Sequence, residues 1–247
     1  MSKIIAMWSG PRNISTAMMR SFENRGDCQV IDEPFYGYYL QQTGLPHPMA
    51  ESVIASQPST WQQVVNQLTG TFNTPICYQK MMTHHMLNEI DLSWCKSIDH
   101  CFLIRNPRDV VQSYVKKMTD VNADDIGIVR QHQLYQQLCT ITGKHIPIID
   151  SDDVVNNPKG MLEALCRQLD IDFDPAMLCW PKGSRASDGV WASHWYQNVQ
   201  NSTSFSPFKQ HNQPLTEAQQ QLVQSSMSLY LDLYQQRLTL NDSVVER

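Results

Sequence analysis

The chain lacks the features that mark several common classes of protein. Its seven cysteines are an odd number with no C-x-x-C pair among them, so we expect neither a disulfide framework nor a zinc site, and a reduced cytoplasm is the favoured environment. No apolar run has the length needed to cross a bilayer, and the first residues lack the pattern of a signal peptide. The net charge of −5 argues against nucleic-acid binding but leaves room for a small anionic ligand.

The composition instead favours a soluble globular enzyme. Hydrophobic residues make up 41% of the chain and charged residues 17%, and a length of 247 residues suits one domain with a large core. No internal repeat and no strong linker divides the chain. We therefore expect residues 1–247 to form a single domain.

Short apolar runs alternate with helix-like stretches along the sequence. The runs predict buried strands at Ile4–Trp8, Gln29–Ile31, Ile76–Gln79, Cys101–Ile104 and Ile146–Ile149. Helices are predicted at 15–24, 60–71, 107–118, 125–142 and 158–169, with a terminal helix after a capping box at Thr216 and Gln219. This alternation predicts an α/β fold of three layers, a parallel sheet of P-loop type flanked by helices. Residues 41–59 and 180–213 have weak periodicity and are predicted to be loops that cover a ligand.

Polar residues follow directly after four of the five predicted strands. They are Arg12, Glu33, Lys80 and Arg105, in chain order. Ligands of parallel sheets bind beyond the carboxyl ends of the strands. We therefore expect these four side chains to share one edge of the sheet.

The first of these strands leads into a loop suited to an anion. The segment WSGPRNISTA places a cation, Arg12, and two hydroxyls, Ser15 and Thr16, between a strand and the first turn of a helix. Free N–H groups and the positive end of the helix dipole favour a phosphate there. The nucleotide-triphosphatase pattern G-x-x-x-x-G-K-[ST] is not met, because the second glycine and the lysine are missing.

A second segment, CFLIRNPRDVVQSY, has a similar design. An apolar strand ends at Arg105, Pro107 begins a helix, and Ser113 lies about two turns in, so that Arg105 and Ser113 can converge on one anion. Taken alone, Arg105 would more simply pair with Asp109.

Together the two segments resemble the sulfotransferase superfamily, which uses 3′-phosphoadenosine 5′-phosphosulfate (PAPS). PRNIST is similar to the family's P-R-S-G-T/S-T loop, RNPRDVVQSY to its R-[ND]-P-R-D-x-x-x-S segment, and residues 146–171 to its later strand–acidic turn–helix segment. The resemblance implies that PAPS is the co-substrate and that no metal is needed. It implies that the 5′-phosphosulfate is bound by the first loop and the 3′-phosphate by the second segment; the residues concerned are Arg12, Asn13, Ile14, Ser15, Thr16, Arg105 and Ser113.

The chain departs from the family pattern at two places. Asn13-Ile14 replaces the usual Ser-Gly of the first loop. Many members also have a late G-x-W followed by a basic residue that contacts the nucleotide, whereas Trp191 is followed here by Ala192. Lys182 and Arg185 are candidates to replace that contact.

Sulfuryl transfer needs a base for the acceptor proton and a cation for the charge on the leaving oxygen. Glu33 is the first candidate for the base, because the segment VIDEPFYGYY resembles the base-bearing segment of some members. Asp32 is expected to point elsewhere, since successive side chains of an extended segment alternate. Lys80 is the candidate cation and His84 the alternative base, by a looser resemblance of YQKMMTHH.

Two other functions stay open at this point. A kinase or nucleotide triphosphatase on the same scaffold would use Asp150, at the end of IPIID, as a magnesium ligand. A non-catalytic nucleotide-binding protein would keep the loops but not the chemistry. The partner is expected to be a small-molecule acceptor whose identity the sequence does not reveal, with no nucleic acid or membrane, and the oligomeric state stays open.

Overall fold

Five parallel strands form the centre of the molecule, in a computed structural model that describes residues 2–115, 122–208 and 214–240. The strands are β1 (Lys3–Ser9), β2 (Cys28–Asp32), β3 (Ile76–Met82), β4 (Asp99–Ile104) and β5 (Ile148–Asp150). Their order in the sheet is β2-β3-β1-β4-β5, and every pairing is parallel. The predicted α/β fold is therefore confirmed.

Helices cover both faces of this sheet. They are α1 (Ser15–Glu23), α2 (Tyr36–Thr43), α3 (Ala50–Ser56), α4 (Trp61–Leu68), α5 (Pro107–Tyr114), α6 (Ala123–Ile126), α7 (Ile128–Thr142), α8 (Ser151–Asn156), α9 (Pro158–Gln168), α10 (Ala192–Trp195), α11 (Gln197–Gln200) and α12 (Glu217–Gln235). The capping box of Thr216 and Gln219 begins α12 as predicted. Within the described residues, no helix is both long and apolar enough to span a membrane.

The central strands are apolar along their length because both of their faces are buried. On β1, Ile5 and Met7 belong to one core cluster, together with residues of α1 and α9. Ala6 and Trp8 belong to a second cluster on the opposite face, together with residues of α7 and α12. This period-2 division between two covered faces is the reason that the strands read as continuous hydrophobic runs.

Several element boundaries differ from the prediction, among them three near the site or its neighbouring helices. The last strand begins at Ile148 rather than Ile146, after a proline that has no N–H to give to a ladder. The helix predicted at 125–142 is divided at Gly127, whose φ of 72° closes α6 and whose Cα lies so close to Pro11 that an added Cβ would be 3.1 Å from the proline ring. The helix predicted at 107–118 ends at Tyr114, and residues 116–118 lie outside the described residues.

The two segments predicted to be loops contain short helices, and residues of both segments border the cleft described below. Residues 41–59 include the end of α2 and all of α3, which buries Val53 in the core. Residues 180–208 include the short helices α10 and α11, and residues 209–213 lie outside the described residues. A buried ion pair between Arg20 of α1 and Asp188, at 2.5 Å, anchors the second segment to α1. Weak periodicity therefore reflected short helices held by tertiary contacts rather than the absence of structure.

Candidate functional site

A cleft of about 840 Å³ opens beyond the carboxyl ends of the strands. It is bordered by side chains from the first loop, from the ends of β2 and β3 and from the segment after α10; among them are Arg12, Glu33, Lys80, His84 and Tyr196. Arg12, Glu33 and Lys80 all border the cleft at this edge, but the prediction that Lys80 follows its strand was wrong, because the pairing of β3 with β1 continues to Met82. Arg105 does not border the cleft itself but lies directly behind Arg12.

The first loop is shaped by strain and by its neighbours. Arg12 has a φ of 54°, an uncommon value for a residue with a side chain and one that concentrates at functional sites. The amide of Asn13 donates to the Leu103 carbonyl, and its oxygen accepts from the Ile14 N–H and from the Ser151 hydroxyl. The side chain of Asn13 thus holds the loop to β4 and α8, while that of Ile14 packs on the core.

The end of the loop presents donors to the cleft. Ser15 and Thr16 open α1 and border the cleft, and no side chain caps this first helical turn. The first N–H groups of a helix have no partner within the helix. The N-terminus of α1 is therefore a place where an anion would be stabilised by N–H groups and by the helix dipole.

The two predicted anion-binding segments meet in space, although about a hundred residues separate them. Arg12 Nε donates to Ser113 Oγ at 3.0 Å, and Arg105 Nη1 donates to the backbone oxygen of Arg12 at 2.7 Å. The guanidinium of Arg105 also lies over the ring of Phe208, 3.7 Å from its centroid. The remaining Nε of Arg105 is buried and has no hydrogen-bond partner in the described chain.

Arg12 and Arg105 are adjacent cations, and the negative charges of Asp109, Asp152 and Asp150 act on Arg105 from beyond ion-pair distance. Within the described ranges neither side chain makes an ion pair with a carboxylate, and the alternative pairing of Arg105 with Asp109 is not formed. Burial lowers the pKa of both guanidinium groups. Two adjacent cations with unused donors are suited to a bidentate anionic ligand.

A buried cluster of charged and polar groups lies at the ends of β2 and β3. Lys80 Nζ donates to Asp32 Oδ1 at 3.0 Å, to Glu33 Oε1 at 2.5 Å and to the hydroxyl of Tyr196 at 2.5 Å. The expectation that Asp32 points away from Glu33 was wrong. Glu33 has a φ of 43°, which ends the extended conformation, so the alternation of side chains stops there and both carboxylates reach the same ammonium group.

Burial and charge act in opposite directions on this cluster. Burial raises the pKa of Glu33, and the charge of Asp32 raises it further, whereas the Lys80 ammonium lowers it. Burial lowers the pKa of Lys80, but the two carboxylates outweigh burial and bring it above its ordinary value. Lys80 therefore stays charged, and Glu33 is a stronger base than an exposed carboxylate.

The two adjacent histidines are held neutral. Burial lowers the pKa of His84 to about 3 and that of His85 well below its ordinary value. Their rings pack against each other and against Tyr36 and Tyr39, with centroids between 4.3 and 5.6 Å apart. Both histidines border the cleft, and the Nδ1 atom of each is buried with no partner among the described residues. They form an uncharged aromatic wall.

Sequence reasoning missed Tyr196. It comes from a segment with weak periodicity, and only its distance of five residues from Trp191 of the late G-x-W marks it. The two candidates that were considered in that region lie elsewhere. Arg185 pairs with Glu23 at the carboxyl end of α1, away from the loop at the other end of that helix, and Lys182 is exposed.

Asp150, the candidate magnesium ligand, already has protein partners. One of its oxygens accepts from the N–H of Asp152 and so caps α8, and the other accepts from the Tyr230 hydroxyl at 2.9 Å. In the parts of the chain that the structure describes, no group of three or more His, Cys, Asp or Glu side chains has the arrangement needed for a metal ion.

The family of the chain follows from comparison with known proteins. The model of the sulfotransferase domain family matches residues 2–237. Two proteins of Arabidopsis thaliana, branched-chain-amino-acid aminotransferase-like proteins 1 and 2, are 31% and 30% identical over 229 residues. The match includes 92% of this chain but only 41% of each plant protein.

Solved structures show the same fold. The sulfotransferase domain from the curacin biosynthetic pathway aligns with a TM-score of 0.52 at 16% identity, over 91% of this chain and 97% of the other. The sulfotransferase domain from the Synechococcus PCC 7002 olefin synthase aligns with a TM-score of 0.50 at 17% identity, over 91% and 94%. With the family model matching nearly its whole length and its parallel sheet shared with these domains, the chain belongs to the sulfotransferase family.

Proposed function

We propose that this domain transfers the sulfuryl group of PAPS to a small-molecule acceptor. The observation that carries the proposal is the meeting of the two anion-binding segments through Arg12, within one site whose cleft also reaches Glu33 and Lys80. A donor with two separate anionic groups and a reacting centre requires these three functions at one place. Family membership supports a sulfonate donor and an acceptor of low molecular mass.

The donor would be bound at both of its anionic ends. Ser15, Thr16 and the uncapped N-terminus of α1 would hold the phosphosulfate, while the Asn13 contacts keep the loop and the Ile14 N–H in shape. Arg105 has unused donors and lies behind the Arg12–Ser113 hydrogen bond, which suits the 3′-phosphate. A few such charge-assisted contacts bind a phosphate without a metal.

The transfer breaks the bond between sulfur and the bridging phosphate oxygen and forms a bond between sulfur and the acceptor atom. Glu33 would take the proton of the acceptor, and its raised pKa improves it as a base. Lys80 would stabilise the negative charge that develops on the departing oxygen. Adenosine 3′,5′-bisphosphate leaves as the second product.

Two finer expectations accompany this proposal. His84 remains the alternative base, although burial keeps its pKa at about 3 and so makes it a weak one at neutral pH. The free cysteines of the described chain support a reducing compartment, for which the cytoplasm is our proposal.

The phosphotransferase alternative is less favoured, because Asp150 is engaged by Tyr230 and by α8.

The decisive experiment compares Glu33→Gln with the wild type. We expect calorimetry to give equal binding of adenosine 3′,5′-bisphosphate for the two proteins. With PAPS and a panel of phenols, alcohols, sugars and amines, release of the bisphosphate should fall about 100-fold or more in the variant, since general base catalysis contributes this much. Glu89→Gln, whose carboxylate bonds Tyr38, is the matched control.

Three outcomes would contradict parts of the proposal. A wild-type protein that does not bind the bisphosphate has no PAPS site. Binding without product from any acceptor would favour a non-catalytic nucleotide-binding protein. Wild-type turnover in Glu33→Gln would transfer the role of base to another residue.

A further inference from the structure

The segment from Gly189 to Tyr196 contacts the charged cluster through two hydrogen bonds. The N–H of Gly189 donates to Asp32 Oδ2 at 3.2 Å, and the indole N–H of Trp191 donates to the Tyr196 hydroxyl at 3.1 Å. Only glycine fits at position 189, because an added Cβ would lie 2.2 Å from the ring of Trp191. The late G-x-W of this chain is thus built to hold two members of the cluster.

Tyr196 joins all the charged groups of the cluster. Its hydroxyl donates towards the carboxylate of Asp32, with oxygen distances of 2.7 and 2.8 Å, and accepts from the Lys80 ammonium and from Trp191. It also lies 3.3 Å from Glu33 Oε1. Since an ammonium group has three protons, Asp32, Glu33 and Tyr196 occupy all the donors of Lys80.

The three acceptors of Lys80 differ in their freedom to move. The side chain of Asp32 is only 2% exposed and is held by Gly189 and Tyr196, and Tyr196 is buried and held by Trp191. Glu33 and Tyr196 both border the cleft, but the side chain of Glu33 is the most exposed of the three, at 12%. Its contact with Lys80 is therefore the one that a ligand in the cleft can replace.

We propose that Tyr196 and Asp32 are positioning residues that form a fixed seat for the ammonium group of Lys80. The seat lets Lys80 exchange one partner only. When the donor is bound, one N–H of Lys80 turns from Glu33 to the departing oxygen, and the released Glu33 carboxylate accepts the acceptor proton. Lys80 keeps its three protons throughout. This inference rests on the proposed sulfuryl transfer and assigns to the G-x-W segment the task of setting the reacting pair.

The seat has an electrostatic signature. The Tyr196 hydroxyl, which donates to Asp32 and lies 3.3 Å from Glu33 Oε1, lowers the pKa of Glu33, whereas the negative charge of Asp32 raises it. Removing the hydroxyl should therefore raise the pKa of Glu33, and neutralising Asp32 should lower it. If Tyr196 and Asp32 only supported the fold, their replacement would not shift the pKa of Glu33 in opposite directions. Lys80 is the cation that faces Glu33. The other titratable side chains that interact electrostatically with Glu33 from neighbouring helices are Tyr36 and Tyr114.

The test is a carboxyl carbon NMR titration of the whole chain, with the Glu33 signal assigned by its loss in Glu33→Gln. We expect the pKa of Glu33 to rise in Tyr196→Phe and to fall in Asp32→Asn. Tyr38→Phe removes a nearby hydroxyl that bonds Glu89 instead, so it should leave the pKa at the wild-type value. If Tyr196→Phe does not fold, Trp191→Phe is the second variant. It keeps the phenol of Tyr196 and removes only the indole N–H that donates to it, so it should raise the pKa of Glu33, but less than expected for Tyr196→Phe.

Steady-state kinetics provide a second, independent test of the positioning role of Tyr196. With an acceptor found in the panel, Tyr196→Phe should lower kcat about tenfold or more and leave the KM for PAPS unchanged, as expected for a charged hydrogen bond used in the transition state. An unchanged pKa of Glu33, or a shift in the same direction in both variants, would overturn the seat. If the two variants shift the pKa of Glu33 in opposite directions but the wild-type chain binds no adenosine 3′,5′-bisphosphate, the proposed function is refuted and the seat stays in place.

Discussion

Replacement of Arg105 by alanine tests the proposed nucleotide site most directly. One donor of Arg105, Nη1, supports the first loop through the backbone oxygen of Arg12. Its Nε is buried without a partner, and a 3′-phosphate would accept from the edge of the guanidinium that includes this atom. The substitution therefore has two effects, a small one on the loop and a large one on the 3′-phosphate.

The two effects have different magnitudes. A hydrogen bond to a charged group contributes about 1.5–3 kcal/mol, so two to one phosphate are worth about 3 kcal/mol at the lower limit, or about 150-fold in affinity. Because the side chain of Arg105 is 8% exposed, solvent screens this contribution little. The lost support of the loop is worth about 1 kcal/mol, or about fivefold, for any adenine nucleotide. Because the loop support is lost for both nucleotides, the preference for a 3′-phosphate should fall by the phosphate contribution alone, about 150-fold.

Calorimetry with adenosine 3′,5′-bisphosphate and with AMP measures this preference. Arg105→Ala should lose far more affinity for the bisphosphate than for AMP. Arg105→Lys keeps the charge without the planar fork and should lie between the wild type and the alanine variant. Equal losses for both nucleotides would refute the assignment, because they would mean that Arg105 acts only on the loop.

Three further predictions concern stability and the choice of base. Burial raises the pKa of Asp150 to about 6, so the folded state binds its proton more tightly than the unfolded state, and the free energy of unfolding should fall by up to about 3 kcal/mol between about pH 4 and pH 6; urea titrations of Asp150→Asn should lack this slope. Arg20→Met leaves the buried Asp188 unpaired and should cost about 3–5 kcal/mol in urea, whereas the surface control Lys3→Met should change stability by less than about 1 kcal/mol. His84→Gln should leave the acid limb of the rate profile in place, because burial already holds this ring neutral; loss of that limb would make His84 the base.

Much of the fold could be predicted because its signals are local. Each buried strand is a short apolar run, and Pro107 after Asn106 and the pair Thr216 and Gln219 supply their own caps to α5 and α12. Boundaries failed where a distant neighbour decides. Gly127 divides a periodic stretch because the chain must pass close to Pro11, and nothing within the stretch itself records that approach.

The same division holds for the site. The positions of Arg12, Glu33 and Arg105 after strands, and of Lys80 near the end of β3, were visible along the chain, since parallel strands all end at one edge. The partners of these side chains were not visible. Tyr196 reaches Lys80 across 116 positions, and this contact depends on the packing of a segment with almost no periodic signal.

The sequence by itself therefore determined the class of fold, the edge of the sheet where the cleft lies and the residue types in the loops beside it. Local apolar periodicity and the order of strands and helices are sufficient for these features. Only the tertiary structure decided that the side chains of Asp32 and Glu33 both reach Lys80, through a positive φ at Glu33, and that Tyr196 completes the cluster. The physical reason is that a buried ammonium group is stable only where several acceptors converge on it, and such convergence is set by packing between distant segments.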